Sequence, residues 1–302
     1  MSYSVNIASQ LEKSLPDELL ALVRAAADLA KAYGQRLYLV GGSIRDLLLG
    51  RRNLDIDLVV EGDALELARL LTKIYGGDLI IHPRFGTAKF RKAGFAIDLA
   101  TARLETYKRP GALPKVVPGS IRDDLSRRDF TINAMAVRLD PENLGELLDP
   151  YGGSDDLEKG LIRILYPDSF IDDATRILRA IRYEQRLGFH LEPSTEKLLR
   201  RDVAMMDTLS GDRLRHEIEL ILREERPEKA LLRSEELGVL RVLNPSLRGD
   251  GWLAERFEQA RQQTKPDATL YLSLLIYQLG EEENEGLIQR LKVPAKMAKT
   301  MR

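Results

Sequence analysis

Apolar positions recur at helical spacing along some stretches of the chain and alternate with polar ones along others. Residues 16–34 place apolar side chains on one face and stop at Gly34, which predicts a helix with a glycine after its last turn. The following apolar run predicts a buried strand. The pattern over the first hundred residues predicts these elements in order: strand Arg36–Val40, helix Ser43–Leu49, strand Leu54–Val60, helix Ala64–Tyr75, strand Thr87–Lys92 and strand Phe95–Ala100.

The second half of the chain has a different pattern. The three prolines and two glycines of residues 107–120 predict an irregular connection. From about Ser169 onward, strand signals almost vanish and amphipathic helical spacing continues to the end. We therefore predict an α+β fold class, with a mixed β-sheet and helices first and an all-α part afterwards.

Composition and charge narrow the possible functions. The 302 residues carry 46 Lys+Arg against 47 Asp+Glu, so any nucleic-acid binding must use a local basic face. The absence of cysteine excludes disulfides and thiolate chemistry, and only three histidines argue against a three-histidine zinc site. The N-terminal residues lack a signal-peptide pattern and no apolar run reaches about eighteen residues. We expect a cytoplasmic protein with no membrane partner.

Three aspartates are the first candidates for chemistry. Asp55 and Asp57 alternate along the predicted strand LDIDLVV, so we expect both on one face, where their charges repel unless a cation binds. Asp98 has a similar setting in AIDLA. Three such acids on neighbouring strands could hold two Mg²⁺ ions for a displacement at phosphorus. The alternative is a surface strand with acids on its solvent face.

A phosphate-binding turn is the second candidate. In LVGGSIRD, a strand meets a helix at Gly41 and Gly42, which leaves backbone N–H groups free for a phosphate, and Arg45 follows one turn later. A Gly-Gly turn alone is usually structural. Because an Asp-x-Asp strand follows thirteen residues after Gly42, the combination predicts a nucleotidyltransferase.

Four segments in one order carry a family resemblance: LVGGSIRDLLLGRRNLDIDLVV, RRDFTINAMAV, LLDPYGGSDDLEKGLIR and DDATRILRAIRYEQRLGF. Together they closely resemble the class II, bacterial-type tRNA nucleotidyltransferases. That family includes CCA-adding enzymes, CC-adding and A-adding specialists, and bacterial poly(A) polymerases. The resemblance implies a polymerase-beta-like nucleotidyltransferase head over residues 1–155, a helical neck over 156–215 and a helical, RNA-binding body over 216–302. Whether the body is naturally short or truncated stays open.

The resemblance also implies roles for residues of the head. It implies that Asp55 and Asp57 bind catalytic Mg²⁺ and that Asp98 is the third acid of the site. The positions that match nucleotide-binding segments are Gly41, Gly42, Arg45, Arg127, Arg128 and Asp129. The arginines can neutralise phosphate, and Asp129 can accept a hydrogen bond from a ribose hydroxyl.

A polar stripe in the predicted neck is the candidate for base selection. Asp173, Arg176, Arg179 and Arg182 recur every three residues, and the family resemblance makes Asp173 and Arg176 a template that reads the nucleotide base. A carboxylate plus a guanidinium complements the edges of cytosine and adenine. The alternative is an i,i+3 salt bridge between Asp173 and Arg176. The family usually has Glu where Asp172 stands.

The implied activity is addition of CMP, AMP or both, from CTP and ATP, to the 3′ end of tRNA. The tRNA would lie along arginine-bearing helix faces formed by Arg182, Arg186, Arg200, Arg201, Arg213 and Arg215. Two alternatives are a poly(A) polymerase of the same family and a nucleotide-binding or RNA-binding module without catalysis. The choice among CC, A and CCA addition, and the oligomeric state, stay open.

Overall fold

A mixed sheet and a set of short helices occupy separate parts of the chain. The computed structural model describes residues 6–106, 111 and 115–301. The first unit comprises Met1–Thr106 and Pro114–Lys159, and the second comprises Tyr107–Leu113 and Gly160–Arg302. No helix in these described ranges combines the length and the apolar character that a membrane crossing needs. The domain ranges given above remain predictions.

The first unit contains nine strands and six α-helices among its described residues. The strands are β1 (Arg36–Val40), β2 (Ile56–Glu61), β3 (Asp78–His82), β4 (Thr87–Lys92), β5 (Phe95–Thr101), β6 (Arg103–Thr106), β7 (Lys115–Pro118), β8 (Ala136–Arg138) and β9 (Leu147–Leu148). The helices are α1 (Ala8–Ser14), α2 (Asp17–Ala32), α3 (Gly42–Leu48), α4 (Ala64–Tyr75), α5 (Ile121–Ser126) and α6 (Gly153–Glu158).

Seven of these strands form one sheet in the order β3-β4-β5-β2-β1-β8-β9. Only β2 and β5 run parallel, and the remaining neighbours are antiparallel. The centre is β1 and β2, most of whose residues are buried. Ile121 and Leu125 of α5 pack on Val40 and Val59 of these strands. The apolar core therefore fixes the two strands that carry the predicted glycine turn and the predicted acids.

Side-chain caps set where several helices begin. The Asp63 carboxylate accepts hydrogen bonds from the first-turn N–H groups of α4, at Leu65 and Glu66. Ser120 and Asp123 form a reciprocal capping box at α5. Such caps satisfy backbone donors that have no partner within the helix. The start of α5 is thereby fixed just ahead of Arg127 and Arg128.

The second unit consists mainly of helices. They are α7 (Ser169–Asp172), α8 (Thr175–Leu187), α9 (Pro193–Asp202), α10 (Gly211–Leu222), α11 (Pro227–Glu236), α12 (Val239–Leu243), α13 (Gly251–Gln263), α14 (Ala268–Ile276), α15 (Glu281–Arg290) and α16 (Ala295–Met301). Two short strands, β10 (Leu161–Ile162) and β11 (His190–Leu191), pair in parallel. Arg233 links α11 to α8 and α9 through Glu184 and Glu196.

The α+β fold class is confirmed, with a mixed-sheet first unit and a helical second unit. Strands Arg36–Val40 and Thr87–Lys92 and helix Ala64–Tyr75 match their predicted bounds. The pattern missed β3, β6, β8, β9 and the pair of β10 with β11.

Two predictions about local structure were wrong. The strand predicted over Leu54–Val60 begins only at Ile56, so Asp55 lies before it. Part of the predicted irregular connection, Lys115–Pro118, forms β7 and pairs with β6. Its only partner in the described chain is β6, and proline is tolerated where a strand has a free edge. Residues 107–110 and 112–114 of that connection lie outside the described residues.

Candidate active site

Asp57 and Asp98 lie side by side in the central sheet. They are directly opposite each other in the parallel pair of β2 with β5, so both side chains project from the same face. A cleft of about 730 Å³ opens on this face, and its lining includes both carboxylates together with Arg127 and Arg128. The fold therefore brings two of the three predicted acids and both predicted phosphate-binding arginines, Arg127 and Arg128, into one cavity.

The ionised form of Asp57 is disfavoured. Burial of the carboxyl group and the neighbouring charge of Asp98 raise its pKa to about 6, with a smaller contribution from Asp55 and a partial offset from Arg128. Solvent reaches the Asp57 side chain through the cleft, yet the surrounding protein removes much of its hydration. A cation bound between these carboxylates would relieve both effects.

Asp55 does not occupy the strand position that the sequence pattern predicts. Its N–H donates to the Asn53 side-chain oxygen at 2.9 Å, and its carbonyl accepts from the Ser43 hydroxyl at 2.8 Å. Because side chains bind these backbone groups, Asp55 lies just outside the strand. Its carboxylate is not part of the cleft lining, but its charge acts on Asp57.

Asp98 already has a cationic partner. Lys89 lies opposite it in the antiparallel pair of β4 with β5, and the Lys89 Nζ is 3.0 Å from the Asp98 carboxylate. Both side chains are partly exposed, so this ion pair is weak. A stronger cation in the cleft can therefore compete for Asp98.

The glycine turn packs against an arginine. Gly41 has φ +71°, and a Cβ there would lie 2.8 Å from the Arg128 guanidinium, so only glycine fits without displacing it. The same guanidinium donates to Asp124 at 2.9 Å, and Arg127 binds the other oxygen of Asp124. Burial would raise the pKa of Asp124, but the charges of Arg128 and Arg127 outweigh it and the pKa is lowered. One buried carboxylate thus positions both arginines at the cleft.

Arg45 and Asp129 are buried beneath the turn. Arg45 donates to Asp46 at 2.9 Å and to the Asn133 side chain at 2.9 Å, and Asn133 donates to Asp129 at 3.0 Å. Neither Arg45 nor Asp129 belongs to the cleft lining. Their predicted contacts with nucleotide remain predictions, while the structure gives them partners within the protein.

The donor set at the cleft fits a hard divalent cation. Within residues 6–106, 111 and 115–301, no three His, Asp or Glu side chains form a ready-made metal site. Mg²⁺ commonly uses one or two protein carboxylates and takes its other ligands from water and substrate phosphates. The crowded negative charge around Asp57 is the observation that favours such an ion.

Asp173 and Arg176 occupy the start of α8 in the second unit. Asp173 precedes the helix and accepts hydrogen bonds from the Thr175 N–H at 3.0 Å and from Arg213 at 2.8 Å. Arg176 is 4% exposed and donates to the Ser169 hydroxyl at 2.6 Å and the Tyr166 hydroxyl at 3.1 Å. The predicted continuous helical stripe is therefore wrong at its first member, because Asp173 has an extended backbone and lies before Ala174, the N-cap of α8.

Arg179 and Arg182 lie further along α8 beside a buried acid. Both guanidinium groups are 3.9 Å from Glu217 of α10, and burial raises the pKa of Glu217 despite the two arginine charges. Arg182 is 6% exposed, which corrects its prediction as part of an RNA-facing surface. Each of the six arginines proposed for tRNA contact lies within 4 Å of an acidic side chain.

Sequence reasoning missed several residues that position the predicted ones. Lys89 and Arg213 pair with Asp98 and Asp173, but these pairings depend on sheet register and helix packing. Asp124 could have been found, because it lies three and four residues before Arg127 and Arg128, the spacings at which a helical turn brings side chains together. No comparable spacing in the sequence points to Asn53.

The fold of the first unit and its acid-lined cleft define a nucleotidyltransferase-type head. Residues 37–163 match the family model described as the poly A polymerase head domain, and residues 188–249 match one described as a probable RNA and SrmB-binding site of polymerase A. The chain belongs to the family of tRNA nucleotidyltransferases and poly(A) polymerases. This family normally uses a divalent metal ion.

Individual relatives support this membership. The A-adding tRNA nucleotidyltransferase of Geobacter sulfurreducens is 45% identical over 78% of this chain and 27% of that protein. The CC-adding enzyme of Deinococcus radiodurans is 40% identical over 67% of this chain and 54% of that protein. The structure of the Thermotoga maritima CCA-adding enzyme with tRNA superposes with a TM-score of 0.85, at 36% identity, over 100% of this chain and 73% of that one. The chain thus spans about a quarter to a half of these two curated relatives.

Proposed function

We propose that this chain adds CMP, AMP or both to the 3′ end of tRNA, using CTP and ATP. The 3′ oxygen of the RNA forms a bond to the α-phosphorus, the bond to the bridging oxygen of the β-phosphate breaks, and pyrophosphate leaves with the hydroxyl proton released. The observation that carries the proposal is the parallel register of Asp57 with Asp98 in a cleft that also contains Arg128. The predicted cytoplasmic location remains a prediction.

Asp55 and Asp57 are the residues that would hold Mg²⁺. When bound, the ion would neutralise triphosphate charge and make the RNA hydroxyl more acidic. Asp98 lines the same cleft and can accept a hydrogen bond from the incoming hydroxyl. Lys89 pairs with the Asp98 carboxylate, and because this exposed ion pair is weak the substrates and the cation could displace it.

The phosphates would contact both the glycine turn and Arg128, which lie against each other. The turn at Gly41 leads directly into α3, whose first N–H groups have no helical partner and favour an anion. Arg128 brings a guanidinium to the same turn, and Asp124 prevents it from swinging away. Catalysis by this chain therefore consists mainly of positioning and charge neutralisation.

Asp173 and Arg176 would select the base. Asp173 can accept from the exocyclic amine that cytosine and adenine share, and Arg176 can donate to the adjacent ring acceptor. Guanine and uracil place an acceptor where the amine would be, which leaves the carboxylate unpaired. The contacts of Arg176 with Ser169 and Tyr166 favour this role because they hold the guanidinium in one orientation.

The decisive experiment offers tRNAs that lack the whole CCA end or that end after C, after CC or after CCA, each with one labelled nucleoside triphosphate and Mg²⁺. Incorporation of C, of A or of both distinguishes the three specificities, and extension of a non-tRNA RNA identifies a poly(A) polymerase. We expect Asp57→Asn and Asp98→Asn to abolish incorporation while the proteins stay folded. A well-folded wild-type chain that incorporates nothing would favour the binding-module alternative.

The template is tested with Asp173→Ala and Arg176→Ala. We expect both variants to accept UTP or GTP in addition to the normal nucleotide, with the same Mg²⁺ requirement as wild type. Arg200→Ala, which removes an exposed arginine of α9 paired with Glu196, is the control and should keep the original selectivity. Unchanged base choice in both template variants would remove the assignment.

A further inference from the structure

A second cavity in the first unit has no role in the proposed reaction. It measures about 640 Å³ and lies where the C-terminal ends of α1 and α3 meet. Its lining includes three cations, Lys13, Arg51 and Arg52, and none of the described residues that line it is acidic. We call this cavity the basic pocket.

The three cations of the basic pocket are available for a ligand. All three residues are exposed, and within the described chain none of their side chains forms an ion pair or a hydrogen bond. Many other arginines of this protein have an acidic partner, as Arg24 does with Glu12 beside the pocket. A protein with a net charge of −1 thus keeps three uncompensated positive charges at one cavity.

An alternative explanation for the three cations is that they interact favourably with the C-terminal ends of the two helices. Lys13 lies in the last turn of α1, and Arg51 and Arg52 follow the end of α3, where cations offset the negative end of the helix dipole. Each helix end carries at most about half a negative charge, however, and both helices are only seven residues long. Three full positive charges exceed that compensation, so the pocket remains attractive to an anion.

The apolar part of the lining indicates what accompanies the anion. Leu15, Pro16 and Leu47 line the same pocket as the three cations. A bare inorganic ion gains nothing from contact with an apolar surface. The sugar and base of a nucleotide can pack on it while the phosphate contacts the cations. Arg51 also borders a narrow crevice that reaches Asn53, which binds the backbone of Asp55.

We propose that the basic pocket binds the phosphate of a nucleotide unit, either within an RNA strand or as a free nucleotide. The RNA source rests on the proposed function, since a polymerising enzyme must hold its RNA away from the reacting end. The recognition is by charge and apolar contact and does not select a base. Occupancy would bring the ligand to the loop that leads into Asp55.

The test compares the full chain with the triple variant Lys13→Gln/Arg51→Gln/Arg52→Gln. Lys73→Gln is the matched control, because Lys73 is likewise an exposed lysine in the last turn of a helix of this unit. A labelled single-stranded oligoribonucleotide is titrated by fluorescence anisotropy at several salt concentrations, and AMP is titrated separately by calorimetry. Circular dichroism verifies that all variants are folded.

We expect the removal of each cation to weaken RNA binding about two- to fivefold at moderate salt. The slope of log affinity against log salt should decrease by about 0.7 for each phosphate that the variant no longer neutralises. Weakening of RNA binding alone assigns the pocket to an RNA strand, and weakening of AMP binding as well assigns it to free nucleotide. If the triple variant binds both ligands as the Lys73→Gln control does, the basic pocket is no nucleotide site.

The test of the basic pocket and the test of the proposed function can fail independently of each other. Loss of RNA affinity in the triple variant, together with a wild-type chain that adds no nucleotide to any tRNA, would preserve the pocket and overturn the reaction. Nucleotide addition by wild type with unchanged RNA affinity in the triple variant would do the reverse.

Discussion

Asp57 illustrates how a single residue can be costly to the fold and useful to the chemistry. Its pKa of about 6 means that the folded chain resists ionising this carboxyl group, since burial and Asp98 both oppose the charge. The neighbouring Arg128 compensates only in part. Such unfavourable electrostatics are expected at a site where a bound cation and a triphosphate complete the charge balance.

Asn53 connects the predicted metal ligands to the buried network below. Its side-chain oxygen accepts from the Asp55 N–H at 2.9 Å, and its amide donates to Asp46 at 2.7 Å. We expect Asn53→Ala to raise the Mg²⁺ concentration needed for half-maximal activity by about tenfold, because groups that orient metal ligands have effects of that size. Metal titration of nucleotide incorporation measures this.

The control for Asn53 is Asn143→Ala. Asn143 donates to Asp140 at 2.7 Å in a different loop of the same unit, so its replacement removes a similar hydrogen bond without touching Asp55. Its metal requirement should equal that of wild type. An equal requirement in Asn53→Ala would show that Asn53 contributes only to folding.

Gly41 is the other residue at which a small change should be informative. We expect Gly41→Ala to lower the free energy of unfolding by about 1–3 kcal/mol, because its φ of +71° disfavours a side chain. The new Cβ would also displace the Arg128 guanidinium and raise the KM for nucleotide. Gly34→Ala shares the positive φ but has open space, so it should lose stability with an unchanged KM. Equal KM values for both variants would contradict the predicted contact.

At the scale of elements, caps and ion pairs fix where the helices of the second unit lie. Glu192 precedes α9, and its carboxylate accepts from the Thr195 N–H at 2.9 Å and from the Ser194 hydroxyl. Burial alone would raise the pKa of Glu192, but these hydrogen bonds lower it to about 2. The charged cap is therefore a source of stability whose size depends on pH.

The sign of this dependence follows from the lowered pKa. The contribution of Glu192 is fully present above its unfolded pKa of 4.5 and disappears as the pH falls toward about 2. We expect Glu192→Gln to lose about 1–2 kcal/mol of unfolding free energy at pH 7 and almost nothing at pH 2, measured by urea unfolding. The exposed Glu158, replaced by Gln, should show no such difference at any pH. A constant deficit in Glu192→Gln would exclude the charge as its cause.

At the scale of the whole molecule, we expect the stability of the fold to be independent of a bound metal ion. The buried positions of the described chain are mostly apolar, and no described cluster of three acids or histidines offers a structural metal site. We expect a chelator to abolish nucleotide incorporation while shifting the thermal midpoint by less than about 2 °C, since a structural metal would contribute far more. Calorimetry with and without chelator measures the shift. A large decrease would indicate a metal that supports the fold.

Local hydrophobic periodicity predicted many of the helices and strands of this molecule. Elements with strong periodicity, such as helix Ala64–Tyr75 and strand Arg36–Val40, depend on neighbours in sequence and could be predicted to the residue. The start of β2 could not, because Asn53 and Ser43 bind the backbone of Asp55 from outside the strand. The spacing of apolar residues does not reveal hydrogen bonds between a side chain and the backbone of another residue.

The amino-acid sequence by itself determined the fold class, the family and the set of charged residues that a triphosphate site requires. The tertiary structure alone decided which of them meet. The register of β2 with β5 places Asp57 beside Asp98, and side-chain packing buries Arg45, Arg176 and Arg182 among acids and hydroxyls. The reason is that helix and strand patterns are set by near neighbours, whereas pairing across a sheet and burial are set by residues far apart in the chain.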